Sequence, residues 1–358
     1  MVAGRVIQVL GVLALAARAF AAHPIPESER WATITHAGNE PYTWDPPGVV
    51  TFRSAGSVDH EYQISRTEVT GTEWFEFVQA YTPYAQQTDV TDAEFLSTSV
   101  GLYTEGGYFL VPGRENKAVE IGWRFAARYV NWLHNDKRPE EAAFQSGVYD
   151  TSTFGIFSSP TNAGFTDQIA HEPDARYWIP TADEWVKAAH FDPNRFGPDM
   201  PGYWLYSNSS DAAQYPPGLP ETGGQTSTGG RFAFPLPDVA AYRDVQSPWG
   251  LWDTSGGYSE WSETADVNQF DPTLSQGRVI KGSSWRIPYF TSDGIPQDRV
   301  DASQSVDSPT TLHALRLARA VPGAGSVWVV VCAVPFLIRR RRQSHDATHT
   351  NLVDRVCG

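Results

Sequence analysis

Cysteine is almost missing from this chain of 358 residues, and the two that occur, Cys332 and Cys357, both sit in its last stretch. Everything before them has no disulfide, no thiolate nucleophile and no soft sulfur ligand for a metal. A domain exported without disulfides must stabilise itself by burial, which about 300 residues can do. Positive charge is scarce too. Twenty-seven Lys and Arg against 41 Asp and Glu leave a formal charge of -14, which removes the basic footprint that a nucleic-acid partner requires and leaves cations or plain solubility as its meaning. Only two Met stand beside 13 Trp, 15 Tyr and 18 Phe. The interior should therefore be built of rigid rings whose polar edges need hydrogen-bond partners. With 30 Gly and 26 Pro, long uninterrupted elements have little room and loops should form much of the fold.

Long apolar runs are confined to the two ends. Residues 1–21 carry Arg5, an apolar run from Val6 to Ala17, and the small residues Ala19 and Ala21 before Ala22, the form of a secretory signal. Near the other end, Val327 to Ile338 is apolar, is interrupted by Pro335 and stops at Arg339-Arg340-Arg341-Arg342. By the positive-inside rule those arginines stay cytoplasmic and place the preceding domain outside. This arrangement, Val321-Pro322 followed by an apolar span and an arginine cluster, resembles the sorting segment of bacterial PEP-CTERM proteins, although Gly323 stands where that family has Glu. The resemblance implies an anchor over 321–342, a tail over 343–358, display at the cytoplasmic membrane or cell surface, and a sorting transpeptidase as a partner.

Between the ends, Val58 to Ile64 alternates as a half-buried strand should. Thr70-Gly71-Thr72-Glu73 has capping-box spacing, and Trp74, Phe77, Val78 and Tyr81 then recur on one helical face. A second helix is predicted over Ile121 to His134, with His134 favourable at its C-terminus. A third opens at Pro180-Thr181-Ala182-Asp183-Glu184, again a capping box. Pro201 to Ser247 is Gly/Pro-rich but holds Tyr203, Trp204, Tyr206, Phe232 and Phe234, which argues for a packed loop rather than a linker. Arg278 to Trp285 and His313 to Ala318 read as short closing strands. No internal repeat or clean linker divides the stretch, which favours one domain over 31–320.

The most concentrated stretch is Ser247 to Trp261, S-P-W-G-L-W-D-T-S-G-G-Y-S-E-W. It reads as a shaped loop in which Gly250, Gly256 and Gly257 give the backbone freedom and Asp253 and Glu260 supply hard oxygen ligands. No serine-elbow frame surrounds Ser255, Ser259 or Ser283, and the histidines are scattered singly.

Six segments in order resemble the formylglycine-generating enzyme family, also called the sulfatase-modifying factor domain. They are Y-Q-I-S-R-T-E-V-T-G-T-E-W-F-E-F from Tyr62, I-G-W-R-F-A-A-R-Y-V-N-W-L-H-N from Ile121, W-I-P-T-A-D-E-W-V-K-A-A from Trp178, G-L-W-D-T-S-G-G-Y-S-E-W from Gly250, R-V-I-K-G-S-S-W from Arg278 and A-L-R-L-A-R from Ala314. The resemblance implies an irregular α+β fold related to C-type lectins, low in regular structure. It also implies a calcium site at Asp253, Gly256, Tyr258 and Glu260, with a second near Asn208 and Asp211. Active members of the family oxidise a client cysteine to formylglycine with copper held by two thiolates. Those positions fall near Ile287 and Ser292, neither of which is a copper ligand of that kind. Two classes of function stay open. One is a non-catalytic, calcium-stabilised surface module presenting loops to a glycan or protein. The other is a divergent oxidase or other enzyme acting on an exported protein or glycan. The loop Ser283 to Asp301, with Arg286, Tyr289 and Asp293 as candidate binding groups, separates them.

Overall fold

A computed structural model of the chain describes residues 24–44, 53–85, 93–103, 106–212, 217–228, 235–285, 296–302 and 305–323. Residues 1–21, expected to be an export signal, the apolar C-terminal span with its arginines, and Arg286, Ile287, Tyr289, Ser292 and Asp293 all lie outside the described residues. Residues 24–321 fall within one unit. No helix among the described residues is long and apolar enough to cross a membrane.

Both capping boxes open helices in the register their spacing requires. Helix α1 (Gly71–Tyr81) starts where the Thr70 hydroxyl accepts from the Glu73 N–H and the Glu73 carboxylate accepts from the Thr70 N–H. After α2 (Ala93–Leu96) comes α3 (Trp123–His134), which begins two residues later than its periodicity suggests because Gly122 is its N-cap. The short α4 (Ala142–Gln145) follows, and then α5 (Ala182–His190), capped by Thr181 and Glu184. Glu184 also accepts from Trp178 Nε1 at 3.0 Å and from His60 Nε2 at 2.8 Å, so this cap ties the helix to the strand before it. Removing the cap hydroxyl with Thr181→Ala should lower stability by about 1 kcal/mol, read from a urea melt. An unchanged midpoint would show that packing alone positions α5.

The helix C-terminus at His134 differs from expectation. Burial and the neighbouring Arg176 guanidinium push the His134 imidazole below its ordinary value, and its Nδ1 accepts from the Arg176 N–H. His134 is therefore a neutral acceptor. The cation that serves this helix end is Arg176, which donates to the His134 carbonyl.

Rings from α1 and α3 interlock in the core. Phe77 meets Tyr129 edge-on at 5.5 Å and also touches Trp74, Trp132 and Phe144. Three of the buried indoles satisfy their polar edges within this core: Trp74 donates to the Phe95 carbonyl, Trp123 to Ser262 and Trp261 to Ile121, whereas the buried Nε1 of Trp132 has no hydrogen-bond partner.

Two antiparallel sheets frame this core. In the first, Trp31–Ile34, Tyr62–Ser65, Ala318–Ala320 and Tyr177–Trp178 lie in that order, with Ala318 opposite Ile64 on one side and Trp178 on the other. Strands from opposite ends of the domain thus lie side by side. The Tyr62–Ser65 strand is shorter than the alternating run, and of the run His313 to Ala318 only its last residue begins a strand. The second sheet is built on a long hairpin, Glu260–Asn268 paired with Asp271–Lys281, flanked by Ala163–Phe165, Ile156–Ser158 and Ser305–Asp307. Its sequence pattern predicts a strand only from Arg278 onward. The first arm of the hairpin, E-W-S-E-T-A-D-V-N, is polar along much of its length and escapes a search for apolar runs.

Candidate functional site

The stretch Ser247 to Trp261 is a loop held by its own backbone and by the sheet behind it. The Ser247 hydroxyl accepts from the Trp249 and Leu251 N–H groups, and Gly250, at φ 78°, lies against Arg66, which donates to the Trp249 and Gly250 carbonyls. A side chain on Gly250 would collide with that guanidinium. Asp253 takes the left-handed φ of 59°, which the short polar Asp side chain tolerates better than most. Gly256 follows at φ 88°, where a Cβ would sit 2.7 Å from the Ser227 hydroxyl, so the loop packs without space for a side chain there.

At the base of this loop lies a buried ionic cluster. Arg316, fully buried, donates through Nε and Nη2 to the two oxygens of Glu260 at 2.9 and 2.7 Å and through its other N–H groups to the Ser65 and Trp252 carbonyls. Trp185 Nε1 also donates to Glu260 at 2.8 Å. Glu68, 1% exposed, lies 3.9 Å from the same guanidinium, and neither of its oxygens has a hydrogen-bond partner. Glu68 and Asp253 line one cavity of about 10 Å³ together with Ser227, Ser255 and Gly257. That is about the smallest space that holds a water-sized occupant. Burial, reinforced by Asp253, raises the Glu68 carboxyl well above its ordinary range. Burial likewise pushes Asp253 up to about 6 despite the bond it accepts from the Ala240 N–H.

When all ionise, three carboxylates, Glu68, Asp253 and Glu260, thus surround one guanidinium. A buried excess of negative charge is costly unless protons or a cation neutralise it. The two orphaned oxygens of Glu68 are what a hard oxygen-seeking ion would use. Among the described residues no group of three His, Cys, Asp or Glu side chains is arranged to hold a metal by itself, so such an ion would depend on backbone carbonyls of the kind expected at Gly256 and Tyr258. Of the residues assigned from sequence, Asp253 and Glu260 are brought to this cluster. Glu68 was not foreseen, because it is adjacent to them only through the first sheet. At the second expected site, Asn208 has a buried, unbonded Oδ1, while Asp211 is held by Arg195 and the Leu205 N–H.

Behind the loop is a chain of buried hydroxyls. Ser255 donates to Asp298 at 2.7 Å, Thr228 bonds Ser283 at 2.8 Å, and the Gly256 N–H donates to Ser283 at 2.9 Å. No imidazole or thiol joins it in these bonds. Three of the six histidines among the described residues are paired with carboxylates: His60 with Glu184, His171 with Glu263 and His313 with Asp307. Ser259, His313 and Asp307 form the composition of a charge-relay set, Ser259 Oγ lying 2.7 Å from Nδ1 and Asp307 3.0 Å from Nε2. Its order is wrong for catalysis. The serine and imidazole are buried and the carboxylate is the most exposed member, so no substrate reaches the hydroxyl. These bonds fasten the loop to the Ser305–Asp307 strand.

Residues 38–320 match the family described as the sulfatase-modifying factor enzyme 1-like domain. No curated protein matches the chain. Three solved structures are similar to it. CarF has 17% identity over 81% of this chain and 98% of its own, with a TM-score of 0.46. Treponema denticola variable protein 1 has 16% identity over 81% and 95%, with a TM-score of 0.44. PvdO from Pseudomonas aeruginosa has 13% identity over 79% and 92%, with a TM-score of 0.41.

Proposed function

Because the chain belongs to the sulfatase-modifying factor enzyme 1-like domain family, with its irregular α+β fold, and keeps its only cysteines beyond that domain, we propose that it is a non-catalytic member. In this reading it is an exported, membrane-anchored module, stabilised by calcium, that presents its loops to a glycan or protein partner at the cell surface. The missing thiols carry the reading. Copper-dependent oxidation as the family performs it needs two soft ligands, and this domain has none to offer.

Calcium is the proposed occupant at Asp253, Gly256, Tyr258 and Glu260, with Glu68 as a further carboxylate. The support is the buried excess of two negative charges and the unbonded oxygens of Glu68, which a divalent oxygen-coordinated cation would balance. Export and anchoring rest on the terminal segments described above.

The test incubates the full chain with stoichiometric copper and a cysteine-containing sulfatase peptide and assays for aldehyde with a hydrazide probe. No aldehyde above the copper-only control is expected. Turnover by the full chain, persisting in a Ser292→Ala variant, would overturn the reading.

A further inference from the structure

The second sheet ends in a groove of about 660 Å³. It lies between two turns, one joining Ile156–Ser158 to Ala163–Phe165 and the other at the tip of the Glu260–Asn268 and Asp271–Lys281 hairpin. Its volume is within the range of small-molecule sites, about 300–1,000 Å³. We propose that this groove is a binding site for a neutral saccharide, which rests on the reading of the domain as a binding module and names its ligand class.

The lining is chemically selective. Asn162, Asn268, Gln269 and Gln276 bring four side-chain amides, Asp266 is the only carboxylate, and no Lys or Arg is present. Phosphorylated, sulfated or uronic ligands would find no cation there and would meet a chain of charge -14. The amides are also pre-set. Asn268 Nδ2 donates to Asn162 Oδ1 at 2.8 Å, the Phe270 N–H donates to Asn268 Oδ1 at 2.8 Å, and Asn162 Nδ2 reaches Asp271 at 3.4 Å. A side-chain amide has two N–H donors and two acceptor lone pairs. After these bonds Asn162 and Asn268 each keep one donor and one acceptor, held at fixed positions. Paired donors and acceptors are what adjacent hydroxyls on a sugar ring satisfy.

Phe270 completes the site. It stands 84% exposed at the hairpin tip, on the rim of the groove, where its apolar face can cover the C–H face of a sugar while the amides take the hydroxyls. The strand that leads to it is irregular, with register shifts at Trp261/Ala265, Ala265/Val267 and Val267/Asn268. Such irregularities re-aim side chains and gather at sheet ends that carry function. A protein partner would be better served by the edge at Ile156–Ser158, unpaired among the described residues, where Ile156 and Phe157 are exposed.

The experiment is affinity electrophoresis of the full chain in native gels containing dextran, soluble starch, glucomannan or xyloglucan, with polygalacturonate as the acidic control. Retardation is expected in at least one neutral gel and not in polygalacturonate. Phe270→Ala should weaken it roughly tenfold, the worth of one stacked ring, at an unchanged melting temperature, and Phe270→Tyr should retain it. If Phe270→Ala melts early, Gln269→Ala on the same turn carries the same expectation. No retardation in any neutral gel, retardation by polygalacturonate alone, or binding indifferent to these substitutions overturns the proposal. Capture of a protein through the Ile156–Ser158 edge without any polysaccharide binding overturns it too. A chain that oxidises the sulfatase peptide yet is still retarded overturns only the non-catalytic reading.

Discussion

Arg316→Met should cost about 3–5 kcal/mol of unfolding free energy, the usual penalty for removing one partner of a buried ion pair. Domains of this kind have only about 5–15 kcal/mol in total, so the variant should be close to unfolding at room temperature. The cause is in the geometry. Arg316 is fully buried, makes four hydrogen bonds to Glu260, Ser65 and Trp252, and is the close cation for three carboxylates. Methionine fills part of the volume but leaves Glu260 charged and unpaired in the interior. Adding Glu260→Gln should return part of the loss, because the orphaned charge is then gone. Urea denaturation followed by tryptophan fluorescence measures both variants. An Arg316→Met midpoint indistinguishable from that of the unmodified chain would show that the cluster contributes no net stability.

The second large effect concerns the proposed calcium and depends on pH with a definite sign. In chelator, Asp253 is raised to about 6 and Glu68 is raised well above the carboxylate range, both chiefly by burial. A carboxyl raised on folding binds its proton more tightly in the folded state. Its contribution is therefore fully present below the unfolded value, about 3.9 for Asp, and for Asp253 is lost as pH rises through about 6. The metal-free domain should lose stability from this source between about pH 4 and 7. His60 and His171 are also raised, by their bonds to Glu184 and Glu263, and they lose their contributions above the unfolded histidine value. The difference between the unmodified chain and Glu68→Gln isolates the carboxylate part. Calcium favours the ionised carboxylates, so its stabilisation should reach about 2.7 kcal/mol at pH 7 at a hundredfold excess over Kd and be smaller at pH 5. Glu68→Gln should lose most of that response. Identical melting temperatures in calcium and in chelator at pH 7 would remove calcium from the account.

Much of the fold was legible because the physics that sets it is short-range. The boxes at Thr70 and Thr181 are read from residues three apart, and the structure shows both. The helical recurrence of Trp74, Phe77, Val78 and Tyr81 places an apolar face, and all four are buried. The Gly and Asp positions of the loop mark its left-handed backbone. The hairpin was under-read for an equally local reason: its first arm carries Glu, Thr, Asp and Asn where a search for apolar runs stops. His134 was misread because its charge depends on burial and on Arg176, 42 residues away in sequence.

What the sequence by itself determined is the class of chemistry that is absent and the elements that local spacing dictates. A domain without cysteine has no copper thiolates whatever its shape, and a capped amphipathic run is a helix in almost any setting. Only the tertiary structure decided which charges meet. Glu68, Asp253, Glu260 and Arg316 are brought together by the first sheet and the loop beside it. In the same way, the turn that carries Phe270 and the turn that carries Asn162 become one groove only once their strands pair within the second sheet. The physical reason is the same in both cases. Buried charge balance and groove shape are sums over neighbours in space, and neither is encoded in any short stretch of the chain.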